Sequence, residues 1–334
     1  MNILAKLNRD RCHKVAGVIQ NLRPDNNFYQ REYLAIDVDD ETKFRMNFFA
    51  VAICHHTYTL HHPVLNLWGW DFIEKVFITM ARQGDELLDP EKVSLMSVNE
   101  IAVELKKRFS HDEATGECSL DRLEERSHLM LESSARLVSD FQGKILELFH
   151  LSENKLINSG RGLYELLPQM EAFGDPQQKK STFLIKLLMD SGLLEIKDPE
   201  NFIPIMDYHM QRVLMRLGCL EIADPGLYQR LIQQQPMESD EPIRGLCIEA
   251  FRLIASVSGQ PVTRMNDYFW SLGRSCCNKT TLCKHHRCEK EPCTFSQIIR
   301  IDDHTHCAFE DVCLGFGDEK YRALWQPMVQ THYY

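Results

Sequence analysis

The feature that most constrains the fold of this chain is a concentration of cysteine and histidine near its C-terminus. Seven of the twelve cysteines and four histidines fall in one stretch: Cys276, Cys277, Cys283, Cys288, Cys293, Cys307 and Cys313, with His285, His286, His304 and His306. Such a density of these two residue types is typical of a metal site. We therefore predict a cysteine-rich metal-binding module over residues 274–334.

The spacing of these cysteines favours an iron–sulfur cluster over zinc. Zinc ribbons usually pair their ligands in two Cys-x2-Cys steps, and the sequence contains no such step. Steps of four to six intervening residues are closer to the cysteine loop of a [4Fe–4S] cluster. We predict Cys277, Cys283, Cys288 and Cys293 as the ligands, with Cys276, Cys307 and Cys313 in reserve. Zinc is the alternative metal.

The start of the chain bears on whether the cysteines form disulfides. Residues 1–10 lack the apolar core of a secretory signal peptide and a small-residue cleavage site. We therefore expect a reducing compartment, cytoplasmic or, in a eukaryote, nuclear, and not a secreted protein. The cysteines outside the module are predicted to be small buried hydrophobic residues: Cys12, Cys54, Cys118, Cys219 and Cys247.

Composition narrows the class of protein. A chain of 334 residues with 44% hydrophobic content can bury a substantial core. It has no apolar run long enough to span a membrane. The formal net charge of −10 is opposite in sign to that of a protein whose main task is to neutralise nucleic-acid phosphate. A local basic strip such as Lys179, Lys180 and Lys186 is compatible with this acidic total.

Apolar residues recur at helical spacing through most of the chain after residue 64, which predicts a mainly α fold. The predicted helices are Leu65–Arg82, Leu120–Leu151, Lys179–Met189, Asp207–Leu220 and Pro242–Ser256. Two segments have strand character, Glu32–Asp37 and Phe44–Ile53, although the second suits a buried helix equally well.

The polar loop at residues 110–117 is the best internal boundary. We therefore predict three parts. The first is an N-terminal helical lobe with short strands over residues 1–115. A helical domain follows over residues 116–273, and the metal-binding module ends the chain.

The segment around Asp207 carries the clearest catalytic signal. Asp207 follows an apolar run and precedes an amphipathic helix, which predicts a helix N-cap. Arg212 and Arg216 lie one turn apart on this helix. From the pattern alone, a capped core helix is the simpler interpretation.

The pattern Asp207-x-His209-x-x-Arg212-Val213-x-x-Arg216-Leu217-Gly218 resembles the signature that follows the catalytic aspartate of the helix-hairpin-helix base-excision DNA glycosylases. Several of those enzymes carry an iron–sulfur loop after the same helix. The resemblance implies a two-lobed helical glycosylase-like fold in which Asp207 is catalytic.

The same superfamily supplies a candidate nucleophile. The stretch from Asp175 to Lys186 is similar to the archaeal oxoguanine glycosylases, in which a lysine opens a helix shortly after a turn. Lys179 is the better match and Lys180 the second choice. The phosphate-binding hairpin of that superfamily is rich in glycine, whereas only Gly174 is present at the corresponding place.

A second resemblance, to the queuosine-salvage nucleotide N-glycosidases, extends from about residue 13 to residue 273. It rests on Phe48-Phe49, Cys54-His55-His56, Leu67-Trp68-Gly69-Trp70, Leu123-Glu124-Glu125-Arg126, Lys179-Lys180, Asp207-Tyr208 and the run from Asp267 to Gly273. It departs at His209, where an arginine is expected.

Together the two resemblances imply a set of substrate-binding residues: Phe48, Phe49, His55, His56, Trp68, Tyr208, His209 and Arg212. Aromatic faces stack on any nucleobase. Core packing for the aromatic residues, and positions in turns for the histidines, are the structural alternatives.

Both resemblances imply cleavage of the bond between a modified nucleobase and its sugar. A carboxylate stabilises the positive charge that develops on the sugar, and a lysine can attack the anomeric carbon or anchor a phosphate. We expect a nucleoside or nucleotide substrate. The negative net charge, the presence of only one glycine at the hairpin position and the greater length of the queuosine-salvage resemblance all favour it. The Asp207 pattern and the cysteines favour the alternative, DNA containing a modified base. A non-catalytic nucleotide- or nucleic-acid-binding module is a third possibility.

Overall fold

The computed structural model describes residues 4–112, 116–288 and 290–334, and it is mainly helical. The helices are α1 (Arg9–Gln20), α2 (Asp40–Ala52), α3 (Trp70–Gln83), α4 (Pro90–Val93), α5 (Val98–Arg108), α6 (Leu123–Phe141), α7 (Ile145–Ser152), α8 (Leu163–Leu166), α9 (Lys179–Asp190), α10 (Tyr208–Leu217), α11 (Pro225–Ile232), α12 (Glu241–Ser258), α13 (Val262–Arg274), α14 (Leu282–His285), α15 (Leu314–Gly317) and α16 (Glu319–Arg322). The predicted mainly α class is therefore confirmed.

The strands are short and pair in twos: β1 (Ala5–Leu7) with β6 (Leu220–Ile222), β2 (His61–His62) with β3 (Leu67–Trp68), β4 (Ser110–Asp112) with β5 (Glu117–Cys118), and β7 (Pro236–Met237) with β8 (Met328–Val329). The last pair is parallel and the others are antiparallel. Segments of 3-10 helix occur at Asn27–Gln30, Thr57–Thr59, Glu86–Leu88, Leu167–Gln169, Glu171–Phe173, Pro199–Asn201 and Phe295–Gln297.

Backbone contacts divide the chain into two compact units. The first unit contains the residues up to Gln30 together with Ile203–Gln330, and the second contains Arg31–Phe202 together with Thr331–Tyr334. The boundaries of these two units do not fall at residues 115 and 273, where the sequence predicts domain boundaries. The division into three parts stays a prediction. Its first boundary falls in residues 113–115, outside the described residues, as do residues 1–3 of the N-terminal segment. In the described ranges, no helix combines the length and the apolar character needed to cross a membrane.

In the first unit, α1 packs on α12, and α10 packs on α12 and α13. The core includes buried residues from each of these helices, together with Cys276, Cys288 and Cys293. Helix α10 ends at Gly218, whose φ of +84° suits glycine, and a Cβ atom there would collide with the side chain of Leu314. The end of α10 is thereby held closely against the cysteine-rich segment.

In the second unit, α2 is buried along most of its length and contacts α3, α7 and α9. The Asp39 side chain caps it by accepting a hydrogen bond from the Thr42 backbone N–H at 2.9 Å, and the Arg45 guanidinium bonds Glu41 one turn earlier at 3.0 Å. These local interactions favour a helix, and α2 continues to Ala52 with Ile53 as its C-cap. Residues 32–37 form a turn, a bend and irregular backbone without a strand, so the strand prediction there was wrong.

The predicted long helix Leu120–Leu151 is two helices, α6 and α7. The break falls at Gln142 and Gly143, whose φ angles of +55° and +70° lie in the left-handed region. A residue in that conformation commonly ends a helix.

Candidate functional site

Asp207 is the N-cap of α10, as the sequence predicts. Its Oδ1 atom accepts a hydrogen bond from the Met210 backbone N–H at 3.0 Å, and the residue is only 7% exposed. A buried aspartate at a helix N-terminus is stabilised as the anion by that N–H and by the helix dipole. The structure therefore holds the Asp207 carboxylate in one fixed orientation.

The three candidate residues that follow Asp207 lie on the first turn and a half of α10. The rings of Tyr208 and His209 are 4.3 Å apart, and His209 Nδ1 lies 3.1 Å from Arg212 Nη2. Both rings are half-buried.

The Arg212 guanidinium is buried and bonds mainly to the chain that follows α13. It donates to the carbonyl oxygens of Gly273 at 2.7 Å and Cys277 at 3.1 Å, and it lies 4.5 Å from the Trp325 ring centre. Burial lowers the pKa of Arg212 to about 10, which leaves it charged at neutral pH. These contacts give Arg212 a role in positioning the cysteine-rich segment, and its predicted contact with substrate stays a prediction.

In the second unit, Lys180 is a completely buried amine on the first turn of α9. Its Nζ atom donates a hydrogen bond to the Ala52 carbonyl oxygen at 2.5 Å. Burial, reinforced by the positive charges of Lys179 and Arg126, lowers the pKa of Lys180 to about 7, although Cys54 opposes the shift. The lowered pKa makes the neutral form of the Lys180 amine accessible near physiological pH.

Lys179 has different surroundings. Its Nζ atom lies 3.8 Å from Cys54 Sγ and 5.1 Å from the centre of the Phe183 ring. Its backbone N–H donates to Asp175 at 2.7 Å, which fixes the start of α9. The two adjacent lysines thus differ in the partner of the amine, which is Cys54 for Lys179 and the Ala52 carbonyl oxygen for Lys180.

Arg126 organises the segment that follows α2. Its fully buried guanidinium donates to the Ile53 carbonyl oxygen, and to Asp121 through the carbonyl oxygen at 2.8 Å and Oδ1 at 2.7 Å. Arg126 was not among the residues predicted for the site, although it belongs to the run Leu123-Glu124-Glu125-Arg126 that carries the queuosine-salvage resemblance. A charged side chain inside an apolar helical pattern is the signal that could have identified it.

His55 and His56 lie beside this arginine. Burial, together with the positive charges of Lys180 and Arg126, lowers the pKa of His55, so its ring is neutral at physiological pH and its 3.1 Å contact with Glu125 is not an ion pair. His56 adopts a left-handed φ of +47°, and its Nε2 atom accepts from the Thr331 backbone N–H at 3.2 Å. Strained backbone of this kind concentrates at functional sites.

The aromatic candidates separate into two groups. Phe48 and Phe49 are fully buried, and the Phe48 ring packs 5.0 Å from the Phe173 ring in the core of the second unit. Trp68 is 48% exposed on the β2–β3 hairpin and stacks on His61 with ring centres 3.7 Å apart. The structure does not bring Trp68 into the group formed by Lys180, Arg126 and His55.

In the first unit, four side chains form a compact group that can hold a metal ion: Cys276, Cys288, Cys293 and His304. Their ligand atoms all lie within 4.8 Å of one another. The Cys276 sulfur is 3.3 Å from Cys288 Sγ and 3.5 Å from Cys293 Sγ, and His304 Nε2 is 3.1 Å from Cys288 Sγ. We call these four residues the compact cysteine group.

The thiols of the compact cysteine group are electrostatically coupled. Hydrogen bonds from Cys276 and Cys288 hold the pKa of Cys293 well below its usual range, whereas bonds with Cys288 and Cys293 raise the pKa of Cys276. Three thiols this close cannot all ionise without a cation between them. A bound metal supplies that cation and releases the protons.

The compact cysteine group differs from the ligand set predicted first. It contains Cys288 and Cys293 from that set, takes Cys276 from the reserves, and adds His304. Cys277 and Cys283 lie outside it, as do Cys307 and Cys313, and all four of these line a nearby cavity. His304 is one of the four histidines that lie among the C-terminal cysteines, but its spacing from the cysteines did not identify it as a ligand.

Comparisons with known proteins assign no family. The sequence matches no protein-family model and no curated protein. Among solved structures, the chain is similar to the 8-oxoguanine DNA glycosylase Pa-AGOG from Pyrobaculum aerophilum in complex with 8-oxoguanosine. The TM-score is 0.46 at 14% sequence identity, and the similarity covers 80% of this chain and 89% of that chain. Because a TM-score of this size does not establish a shared fold, the assignment of function rests on the residues described above.

Proposed function

We propose that this chain is an N-glycosylase that cleaves the bond between a modified nucleobase and its sugar. The observation that carries the proposal is Lys180, a buried amine whose pKa is lowered to about 7. Burial that lowers a lysine pKa is how enzymes obtain a nucleophilic amine at physiological pH.

The neutral Lys180 amine would attack the anomeric carbon of the substrate. A new carbon–nitrogen bond forms as the glycosidic bond breaks, and the base leaves with the bonding electron pair and takes up a proton. Loss of a proton from the attacking amine and opening of the sugar then give a Schiff base, which water hydrolyses to restore the lysine. Lys179 is the second candidate for this role.

An amine nucleophile favours DNA as the substrate. In the glycosylase superfamily that the sequence resembles, an attacking lysine belongs to the bifunctional DNA enzymes, so we now place DNA with a modified base ahead of a free nucleotide. The net charge of −10 favours the nucleotide, which stays the second candidate. The resemblances to helix-hairpin-helix and queuosine-salvage proteins remain predictions from the sequence.

Release of a free base is the decisive measurement. The chain would be incubated with duplexes carrying oxidised, deaminated or alkylated bases and, separately, with modified nucleotides, and the products followed by mass spectrometry. Borohydride should trap a covalent DNA adduct, and peptide mapping should place it on Lys180. Release from nucleotides alone would move the activity to the second substrate class, and no release from either would leave a binding module.

Asp207, in the first unit, is a separate candidate, for which the resemblance to the glycosylases implies a carboxylate that stabilises the positive charge on the sugar in the transition state. We expect Asp207→Asn to slow base release about 10²–10⁴-fold, because the carboxylate charge is lost. Asparagine caps helices as well as aspartate does, so α10 should stay intact. Single-turnover assays with thermal unfolding would measure both effects.

The matched control is Asp224→Asn. Asp224 caps α11 in the same unit by accepting from the Leu227 N–H at 2.6 Å, and its substitution should leave base release unchanged. Equal rates for Asp207→Asn and the unmodified chain would remove Asp207 from the mechanism.

For the compact cysteine group we propose zinc. Zinc–sulfur bonds of about 2.3 Å put the ligand atoms of a tetrahedron about 3.8 Å apart. The sulfur–sulfur separations of 3.3 Å and 3.5 Å are near that value. Because three cysteines and one histidine leave no open position, this zinc would be structural rather than catalytic.

A further inference from the structure

Next to the compact cysteine group, the first unit contains a cavity. The volume open to the centre of a water molecule inside it is about 30 Å³. That volume exceeds the 10–15 Å³ or so that one water molecule needs. Five cysteines line it: Cys276, which belongs to the compact cysteine group, and four that do not, Cys277, Cys283, Cys307 and Cys313. Much of the remaining lining is apolar, including Leu217, Leu272 and Phe309.

The four cysteines come from two segments with the same spacing. Cys277 and Cys283 are separated by five residues, and so are Cys307 and Cys313. Cys277 follows α13 and Cys283 lies in α14, whereas Cys313 is the N-cap of α15. Thus two loops of equal length each present two thiols to one cavity.

Cys276 and Cys277 are adjacent in sequence but belong to different groups. The Cys276 sulfur belongs to the compact cysteine group, whereas the Cys277 sulfur lies 3.6 Å from Nη1 of Arg216 on α10. Within the ranges that the structure describes, the four cavity cysteines do not form a group as tight as the compact one.

The four cavity cysteines nevertheless line one common space, together with Leu217 of α10 and Leu272 of α13. Two segments of the chain therefore meet around a space that is larger than one water molecule needs.

Arg216 supplies a compensating charge. Its guanidinium is buried, with donors directed at the Leu324 carbonyl oxygen at 3.0 Å, the Asn278 carbonyl oxygen at 2.9 Å and the Cys277 sulfur. A cluster bound by four thiolates carries net negative charge, and a buried anion needs such a partner. Hydrogen bonds to ligand sulfur are also among the features that set cluster potentials.

We propose that Cys277, Cys283, Cys307 and Cys313 hold a polynuclear iron–sulfur cluster, in a site separate from the mononuclear site of the compact cysteine group. Four cysteine thiolates are the usual ligands of [2Fe–2S] and [4Fe–4S] clusters, in which different iron atoms take different thiolates and spread them apart. We propose the [4Fe–4S] form, in which each of the four irons binds one of the four thiolates. One segment of chain would thus carry two metal sites of different nuclearity.

The test is metal and sulfide analysis of the full chain, purified without oxygen and reconstituted with iron, sulfide and zinc. We expect about four iron and four sulfide per chain together with about one zinc. The double variant Cys307→Ala with Cys313→Ala should lose the iron, the sulfide and the visible absorbance while keeping the zinc. Cys247→Ala, which changes a buried cysteine outside both groups, should retain all three components.

X-ray absorption at the iron edge of the unmodified chain provides a second test that does not depend on variants. Iron–iron scattering is expected from a polynuclear cluster. Zinc in both sites, iron without iron–iron scattering, or iron retained by the double variant would each overturn the proposal. Since none of these results depends on base release, failure of this proposal is distinguishable from failure of the proposed function.

Discussion

Replacing Cys288 by serine is expected to abolish zinc binding at the compact cysteine group and to unfold the segment that follows Arg274. The Cys288 sulfur lies 3.3 Å from the Cys276 sulfur and 3.1 Å from His304 Nε2. The substitution therefore removes a sulfur that contacts two of the other three proposed ligands. We expect zinc to bind about 100-fold more weakly or worse, because even groups around metal ligands contribute about 10–100-fold each.

The expected unfolding follows because zinc binding and folding of this segment are coupled. Structural zinc in small domains contributes on the order of 10 kcal/mol at neutral pH, and that binding energy is folding energy. Residues 275–288 and 290–330 are mostly irregular segments, turns and helices of four residues or fewer, which cannot persist without other support. Limited proteolysis should cleave Cys288→Ser within this segment.

Acidification should also cause loss of zinc, as the Cys288→Ser substitution does. Protons compete with the metal for the thiolates and for His304, so zinc is retained at neutral pH and released as the pH falls. Metal analysis after dialysis at stepped pH would follow the release. Cys247→Ala is the control for cysteine loss in the core. Full zinc content in Cys288→Ser would show that the four residues are not a metal site.

Replacing Lys180 by methionine is expected to lower the rate of base release by about 10³-fold or more, because the proposed nucleophile is removed. Methionine has a similar length and no charge to bury, so the fold should survive. Single-turnover assays and borohydride trapping would measure the effect, and the trapped adduct should disappear.

Two matched variants accompany it. Lys186→Met removes another buried lysine of α9, one that bonds Asp190 at 2.5 Å, and should leave the rate unchanged. Lys179→Met tests the second candidate. Loss of activity in Lys179→Met with full activity in Lys180→Met would reassign the nucleophile.

The pH profile provides an independent check. The neutral amine is the reactive form, so base release should rise as the pH increases through about 7 and then level off. Because the folded pKa of Lys180 is lower than that of a lysine in the unfolded chain, the unfolded chain binds more protons between about pH 7 and 10.5. Stability from this residue is therefore greatest above that window and is lost as the pH falls through it. Lys180→Met should remove both dependences.

Local pattern predicted the helices well where capping and periodicity agree. The start of α9 at Lys179 and the N-cap role of Asp207 follow from residues adjacent in sequence, and the structure has both. The break at Gln142 was missed because the apolar spacing continues across it, although Gly143 marks the place. The ambiguity of Phe44–Ile53 was resolved by burial on all sides of α2, which periodicity cannot report.

The sequence by itself determined that this chain is mainly helical, that Asp207 caps a helix and that enough cysteine and histidine lies near the C-terminus to hold a metal ion. Only the tertiary structure decided how those cysteines divide. It separates neighbours such as Cys276 and Cys277, and it joins Cys276 to His304. It also decided that the Lys180 amine is fully buried against the Ala52 carbonyl oxygen, and this burial lowers its pKa. The physical reason is the same in each case: ligand geometry and desolvation depend on distances and burial that the folded chain creates, whereas sequence spacing constrains only near neighbours.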